Sequence, residues 1–430
     1  MKIQSPEIDR QAGIEYYTTS IDGVGGHIKK SYNDFFVQEI IADRFLNQLI
    51  NVPTKSNPFP IYKLEKKGID SSHAVLLIKK KTGINLKIVG IKDAKATTVQ
   101  YASGNSNYGI RRRTTDYEIG PIKLTLMGYS KRPIEKSNLI GNAFRIRITN
   151  PDRFHVNNIT KFLAEINDLG NYYGLQRFGS ERLVTHLVGR AIIRRQFDRA
   201  VEILLTHTTK HDSKFSIEIR EKLRDIRNNP SLLKQIPRGM DIEKNLAREI
   251  INGKDSITAL RSIPITVRRL FVQAFQSFLF NKSLSIAIEK DFPLVRPEKN
   301  DLCFEVPINS LEFGKIRKFA NEKKEERDIL KLPIIRLPGY SFQPGTNRFD
   351  NLIKDFMKIE NITAKDFFIK EMQELSESGG FRQACFYCKY FGYEKDDGSL
   401  IVEFSAPKGS YATILLREII KPVNPILSGF

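Results

Sequence analysis

Segments in which apolar and polar residues alternate occur near both ends of the chain, and they limit the fold more than any other feature. FRIRIT, residues 144–149, would place three apolar side chains on one face of a strand and two arginines on the other, giving a basic outer face. Further strands are predicted at residues 36–41, at IKLTLMG from Ile122 and at SLIVEFSA near the carboxyl end. Between these regions the apolar spacing is helical, most clearly in VRRLFVQAFQSFLFNKSLS. The pattern predicts an α+β domain that is built from both chain ends and interrupted by an inserted domain.

The length of the chain supports this division. A chain of 430 residues with 40% hydrophobic content can bury a substantial core, and its length favours two or three domains. The sequence turns lysine-rich and polar after Leu205, and we place the first boundary near Gln196. We expect the first part of one domain at residues 1–195, the insert at 196–378, and the rest of the first domain at 379–430.

Positive charge dominates the composition. Lys and Arg total 69 against 49 for Asp and Glu, which gives a formal charge of +20 and a pI near 9.6. Such a field attracts polyanions such as nucleic acids, although charge alone is equally compatible with a basic protein that is merely soluble. The clustered candidates for phosphate contacts are Lys79, Lys80, Lys81, Arg111, Arg112 and Arg113. Each cluster taken alone is also typical of a solvated surface.

Cysteine usage and the lack of apolar runs indicate the compartment. Three cysteines are too few for a disulfide framework in a chain of this size, so a reducing cytoplasm fits best. Cys385 and Cys388 form a single C-x-x-C, which we interpret as core thiols, with a redox or metal role as the lesser alternative. No apolar stretch approaches 18 residues, and no signal-peptide pattern is present. We expect a cytoplasmic protein that neither is secreted nor spans a membrane.

No cofactor signature is complete. The chain has no Walker motif, dinucleotide fingerprint, zinc-protease motif or nucleophile elbow, and its six histidines lack metal-ligand spacing. A metal-dependent nuclease would need clustered carboxylates, which the sequence does not show. We expect neither cofactor nor metal, and the basic surface then favours a reaction that one side chain performs on RNA.

Asp93 follows Lys92 at the end of a predicted element, where an aspartate usually caps or bonds the backbone. The wider segment GIKDAKATTVQ resembles the signature of the TruD family of tRNA pseudouridine synthases, in which G-x-K-D precedes Ala, Thr and Gln at set offsets. The matching positions are Gly90, Lys92, Asp93, Ala96, Thr98 and Gln100. Ala94 departs from the Lys or Arg usual in the family, and Lys95 is expected to supply that charge.

Two more segments carry the resemblance. NYYGLQRFG, residues 171–179, is similar to the family's N-Y-F-G-x-Q-R-F-G, with Tyr173 in place of Phe. GHIKKSYNDFFVQEI matches the family's amino-terminal pattern of a Lys before D-F-x-V-x-E, which includes Lys29 and Glu39. GNAF, QAFQSFLFN, LPGY and PKGSYATILLREI follow in the family's order, so the resemblance spans essentially the whole chain. The amino-terminal GIEYYTT and the long middle region are similar to the archaeal and eukaryotic branch.

The resemblance implies a catalytic domain with a mainly antiparallel sheet, an inserted α/β domain that closes over RNA, and conversion of a tRNA uridine to pseudouridine. It implies Asp93 as the essential carboxylate, acting either as nucleophile or as the base that removes a ribose proton. A nearby Lys29 would keep the pKa of Asp93 low, Lys92 would do the same or bind phosphate, and Tyr173 would stack on the flipped base. The remaining implied active-site and RNA-binding residues are Glu39, Asn171, Lys95 and Arg177.

Several alternatives stay open at this point. The usual target of the family is uridine 13 of tRNA, and the archaeal and eukaryotic members also suggest uridine 35 or other RNAs. A non-catalytic RNA-binding protein on the same fold would keep the charge and the aromatic residues. We expect a monomer, and we expect tRNA as the partner.

Overall fold

A computed structural model describes residues 2–105, 116–180, 182–308, 310–320 and 328–430. Its strands are β1 (Phe35–Ile41), β2 (Phe59–Lys67), β3 (Lys87–Ile88), β4 (Thr97–Ser103), β5 (Tyr117–Ile119), β6 (Ile122–Ser130), β7 (Leu139–Thr149), β8 (Leu302–Pro307), β9 (Ile316–Lys318), β10 (Ile329–Leu337), β11 (Gly380–Gln383), β12 (Lys389–Asp396) and β13 (Ser399–Pro407). They form one large sheet in the order β12-β13-β7-β1-β4-β2-β6-β5, with β3 beside β4, and a second sheet in the order β11-β10-β8-β9.

Helices make up the rest of the regular structure. The α-helices are α1 (Glu7–Gln11), α2 (Asp43–Leu46), α3 (Ser71–Thr82), α4 (Asn158–Glu165), α5 (Thr185–Ile193), α6 (Phe197–Thr206), α7 (Lys214–Lys222), α8 (Asp241–Ile251), α9 (Ser256–Arg261), α10 (Ile265–Glu289), α11 (Arg348–Ile359) and α12 (Ala412–Ile420). The 3₁₀ turns are Tyr32–Asp34, Ile166–Asp168, Leu175–Phe178, Leu223–Asp225, Pro230–Gln235, Ala364–Phe367 and Lys370–Leu375. No helix within the described ranges is long and apolar enough to cross a membrane.

The large sheet joins the two ends of the chain, as the alternating segments predicted. β13 pairs antiparallel with β7 from Ser399 opposite Thr149 to Pro407 opposite Gly141. β7 in turn pairs antiparallel with β1. The expectation of a basic outer face on β7 needs correction, because Arg145 donates to Glu403 at 2.7 Å and Arg147 lies 2.7 Å from Asp396. Neighbouring strands therefore neutralise both arginines.

One strand pair positions the site. Among the described strands, β1 and β4 alone run parallel, with Phe36 opposite Thr97 and Gln38 opposite Val99. Parallel strands begin at the same edge of a sheet. The segment before β1, which contains Lys29, therefore lies at the same edge as the loop before β4, which contains Asp93.

The middle of the chain is mainly helical and packs around α10, which covers the segment where helical spacing was clearest. α5 and α11 both pack on α10, and the apolar core continues from Ile8 to Ile420 without a break between the two sheets. β11 follows residue 379 but pairs with β10 in the second sheet. The division into 1–195, 196–378 and 379–430 stays a prediction.

Candidate active site

A pocket of about 210 Å³ opens at the sheet edge where β1 and β4 begin. Its lining residues are Phe35, Val37, Ile91, Lys92, Asp93, Ala96, Thr98, Asn142, Phe144, Gln176, Ser410, Tyr411, Ala412 and Thr413. They come from β1, the loop before β4, β4 itself, β7, the 3₁₀ turn Leu175–Phe178 and the start of α12. Both ends of the chain are thus needed to enclose this pocket.

Asp93 presents its carboxylate at the pocket surface. The side chain is exposed, and Gln176 donates from Nε2 to its Oδ2 at 3.2 Å. The sequence leaves open that Gln176 satisfies buried backbone groups, whereas the structure shows its side chain exposed and bonded to Asp93. The motif NYYGLQRFG therefore supplies a group that orients this carboxylate.

Buried side chains hold the Asp93 loop from behind. Lys66 donates to the main-chain oxygens of Asp93 at 3.1 Å and of Lys92 at 3.3 Å. The Lys92 amide donates to Ser71 Oγ at 2.9 Å, and the Ser71 hydroxyl donates to Gln100 Oε1 at 2.6 Å. Gln100 then donates from Nε2 to the Gly90 oxygen at 2.6 Å. This network explains why Gln100 is part of the motif, and sequence reasoning missed Lys66 and Ser71.

Lys92 and Glu39 form a buried ion pair. Lys92 Nζ donates to Glu39 Oε1 at 3.0 Å, and the side chains are 14% and 0% exposed respectively. The second carboxylate oxygen of Glu39 accepts from the Tyr101 amide at 2.9 Å. The Lys92 ammonium is thus paired with the Glu39 carboxylate at the base of the Asp93 loop.

Lys29 lies beside the pocket in a left-handed conformation with φ of 58°. Its Nζ is 4.9 Å from the centre of the Phe35 ring, which lines the pocket. Burial lowers the pKa of Lys29, the attraction of Asp93 opposes that effect, and repulsion from Lys95 adds to it. The Asp93 carboxylate is therefore close enough to favour the charged form of Lys29.

Tyr173 packs behind the pocket and is not among the described lining residues. Its ring is 9% exposed, with the Arg382 guanidinium 4.0 Å from its centre and the Tyr411 ring 5.9 Å away. Tyr411 therefore lines the pocket, and Tyr173 packs against the Tyr411 ring from the protein interior.

Asn171 and Arg382 tie three segments together beneath the pocket. Arg382 donates to the oxygens of Asn171 at 2.9 Å, Tyr172 at 3.0 Å and Gly409 at 2.8 Å. It also donates to Asn171 Oδ1 at 2.8 Å, and Asn171 Nδ2 donates to the Gln383 main-chain oxygen at 3.2 Å. Asn171 thus has a buried bonding role here, and no sequence signal pointed to Arg382.

The predicted RNA-binding residues are dispersed. Lys79, Lys80 and Lys81 are exposed on the last turn of α3, and Lys95 is exposed next to the pocket loop. Arg177 is half-buried and donates to Ser277 Oγ at 3.1 Å and Gln273 Oε1 at 3.3 Å. Arg111, Arg112 and Arg113 lie outside the described residues.

The cysteines behave as core thiols. Cys303 and Cys385 are buried and Cys388 is half-buried. Burial raises the pKa of Cys385 and of Cys388 to about 12. Within the described part of the chain, no cluster of His, Cys, Asp and Glu has the arrangement of a metal site.

A family model described as tRNA pseudouridine synthase D (TruD) matches residues 11–419. The chain belongs to the TruD family. A probable tRNA pseudouridine synthase D of Archaeoglobus fulgidus is 30% identical, over 96% of this TruD-family chain and 99% of that protein. A protein of the same name from Pyrobaculum islandicum is 30% identical over 100% of both chains.

A crystal structure of a putative TruD from Methanosarcina mazei has the same fold, with a TM-score of 0.76 and 26% identity. The structural alignment covers 99% of this chain and 100% of the Methanosarcina mazei chain. The predicted fold class and family are thereby confirmed, as is the similarity to archaeal members. TruD-family proteins are tRNA pseudouridine synthases, which are isomerases.

Proposed function

We propose that this TruD-family enzyme isomerises a uridine of tRNA to pseudouridine with Asp93 as the catalytic carboxylate. The observation that carries the proposal is the position of Asp93 in a pocket lined by the rings of Phe35, Phe144 and Tyr411. At about 210 Å³ the pocket is smaller than a typical drug-sized site of about 300–1,000 Å³, which suits a single flipped base.

The reaction breaks the bond between ribose C1′ and uracil N1 and forms a bond between C1′ and C5. The C5 proton leaves to solvent, and N1 of the product carries a proton. Asp93 either attacks the nucleoside or removes a ribose proton, and an ionised carboxylate suits both roles. Gln176 orients that carboxylate, and Lys29 places an ammonium group beside the pocket, 4.9 Å from the centre of the Phe35 ring.

The aromatic lining offsets the cost of unstacking the target base, which is about a few kcal/mol. We assign the stacking contact to the rings on the lining, Phe35, Phe144 and Tyr411. Tyr173, which the sequence assigned to stacking, would act through Tyr411. We propose uridine 13 as the target, with uridine 35 as the second candidate, and the inserted domain as the opposite wall of the RNA cleft.

Phosphate contacts are proposed for the exposed lysines. Lys79, Lys80, Lys81 and Lys95 are available on the surface, and Arg111, Arg112 and Arg113 are proposed from the sequence alone. Arg177 is engaged with α10 through Ser277 and Gln273, so its contribution to RNA binding would be indirect. We propose a monomer acting on tRNA in the cytoplasm.

The test measures tritium released from C5-labelled uridine in tRNA transcripts, with EDTA and without added cofactor. We expect release by the wild type and none by Asp93→Asn, while the control Asp43→Asn, which removes an exposed charge from α2, behaves as the wild type. Transcripts with cytidine at position 13 or 35 identify the target, because release stops when the target is replaced. Tight binding of tRNA without release would support a non-catalytic RNA-binding protein, and loss of activity in EDTA would indicate a metal-dependent reaction.

A further inference from the structure

A second pocket, of about 480 Å³, lies among α1, α5, α10 and residues 207–211. It has more than twice the volume of the candidate active site, which is about 210 Å³, and the two pockets share no lining residue. The proposed isomerisation gives this second pocket no role. Its volume falls within the range of about 300–1,000 Å³ that is typical of small-molecule sites.

The inner wall of the second pocket is aromatic. The His186 ring stacks on Phe278 with 5.0 Å between the centres and 20° between the planes, and Phe275 stacks on Phe278 at 6.3 Å and 13°. All three residues line the pocket, and Phe278 is half-buried. Burial lowers the pKa of His186 to about 3, so this ring is uncharged at neutral pH. The wall therefore suits a flat group that stacks.

The rim of the second pocket carries an excess of positive charge. Arg10, Arg190 and Lys210 all belong to the lining. Glu360 lies 2.6 Å from Arg190 and 2.9 Å from Arg194, so one carboxylate offsets two guanidinium groups. Arg10 donates to a main-chain oxygen at 2.6 Å, which carries no full charge to offset it. Lys210 has an exposed carboxylate partner, and exposed pairs contribute little, so its ammonium can turn to another anion.

An aromatic wall beneath a positive rim matches a nucleotide, because the base stacks and the phosphate is negatively charged. We infer that the second pocket binds one unstacked nucleotide of the tRNA, other than the uridine that enters the candidate active site. The base would lie against His186 and Phe278, with its phosphate near Arg10 and Lys210. The inference takes tRNA as the partner from the proposed function and adds a second point at which the RNA is anchored.

One short turn connects the two pockets. Gln176 bonds to Asp93 in the candidate active site, and the Phe178 ring packs edge-on against His186 with 5.2 Å between the centres. These two residues of the turn are separated by one other residue, so their main chains lie at most about 7 Å apart. A single bound tRNA can therefore fill both pockets.

The substitution Leu187→Trp tests the inference by filling the second pocket. Leu187 lines it from α5 and is half-buried, so the larger side chain occupies empty space and should not lower Tm. We expect the Kd for tRNA to rise about tenfold or more, with kcat at saturating tRNA unchanged. The matched control is Leu163→Trp, which changes an exposed leucine of α4 outside both pockets and should leave Kd as in the wild type.

The charge of the rim is tested separately. Lys210→Gln should weaken tRNA binding and reduce the slope of log K against log salt by about 1. Lys2→Gln is the control, because Lys2 also loses an exposed pair, at 2.7 Å from Asp291, but does not line the pocket. Its slope should equal that of the wild type.

A series of tRNAs, each with one abasic site, identifies the inserted nucleotide. We expect one abasic site outside the target position to weaken binding by the wild type and to have no further effect on Leu187→Trp. Leu187→Trp that folds and binds tRNA within about twofold of the wild type would overturn the inference. If that variant does not fold, an unchanged salt slope for Lys210→Gln would overturn it.

The probe 5′-AMP distinguishes RNA from a free nucleotide. We expect it to weaken tRNA binding by the wild type more than by Leu187→Trp. Binding of 5′-AMP that Leu187→Trp abolishes, with unchanged affinity for tRNA, would indicate a free-nucleotide site and overturn the assignment to RNA. Absence of tritium release by the wild type would contradict the proposed isomerisation alone, because these binding measurements do not depend on turnover.

Discussion

Lys66 is a buried cation that does not line the pocket, and its replacement should lower kcat. The side chain is 1% exposed, and its ammonium donates to the main-chain oxygens of Ile69 at 2.7 Å, Asp93 at 3.1 Å and Lys92 at 3.3 Å. Three donors therefore meet three acceptors, two of which belong to the loop that presents Asp93. Lys66→Met should free that loop. A displacement of about 1 Å can cost about 10²-fold in rate, so we expect a fall in kcat of that order with little change in KM for tRNA.

Titration of Lys66 gives a second signature. Burial lowers its pKa to about 8, Asp70 and Asp93 oppose that shift, and Lys92 adds to it. Deprotonation leaves two N–H groups for three oxygens, so kcat should fall as pH rises through about 8. Stability should change in the opposite direction. Between about pH 8 and the ordinary value of 10.5 the unfolded chain binds more protons than the folded one, which stabilises the fold by at most about 3 kcal/mol as pH rises.

The assay is tritium release at saturating tRNA from about pH 6 to about pH 10, together with Tm at each pH. Lys66→Arg should move the alkaline fall in kcat to higher pH, and ionisation of the RNA bases cannot produce that difference. Lys67→Met is the matched control, since Lys67 is the next residue of β2 and is exposed. A Lys66→Met enzyme that folds and keeps kcat within about twofold of the wild type would refute the reasoning, as would identical pH profiles for wild type and Lys66→Arg.

Three further substitutions test the framework of the site. Glu39→Gln leaves the Lys92 ammonium without its buried partner and should lower the free energy of unfolding by about 3 kcal/mol, part of which a second substitution, Lys92→Met, should restore. The control Glu65→Gln loses a half-exposed ion pair, also at 3.0 Å, and should lower it by under about 1 kcal/mol in thermal melting. Additive effects of Glu39→Gln and Lys92→Met would contradict this coupling. In Arg382→Lys, the three N–H groups of lysine cannot serve the four acceptors that Arg382 serves, so both Tm and kcat should fall. An unchanged Tm would contradict a structural role for Arg382. Replacing Lys79, Lys80 and Lys81 together by Gln should weaken tRNA binding and reduce the slope of log K against log salt by about 2 to 3, with kcat at saturation unchanged, and an unaltered slope would exclude them from the interface.

Local sequence predicts much of the fold because strand and helix periods involve neighbouring residues. β7 and β13 were visible as alternation, and α10 as helical spacing. Helical apolar spacing at residues 156–169 predicts one helix, whereas α4 covers only Asn158–Glu165 and a 3₁₀ turn follows. The apolar run at residues 74–78 belongs to α3, whose amino-terminal amides are capped by Asp70. Strand order, including the parallel β1–β4 pair, depends on contacts that local patterns do not encode.

The candidate site was predictable where a motif carried it and not where distant residues meet. Asp93, Lys92 and Lys29 were found from the resemblance, but the bond from Gln176 to Asp93 joins residues far apart in sequence. Lys66 looked like one more lysine in a basic chain, because burial cannot be read from residue type alone. The place of Thr98 and Asn142 on the pocket lining is likewise visible only once the fold is formed, although both residues lie within quoted motifs.

The pairing of β7 with β13 has a consequence for synthesis on the ribosome. Thr149 meets Ser399 only after the whole intervening chain has been translated, which takes about 10 to 50 s at about 5–20 residues per second. During that interval one edge of β7 is unpaired, and exposed strand edges promote aggregation. The nascent chain is thus expected to need chaperone protection late in translation. The pocket also stays incomplete until residues 410–413 have left the ribosome, because these residues form part of its lining.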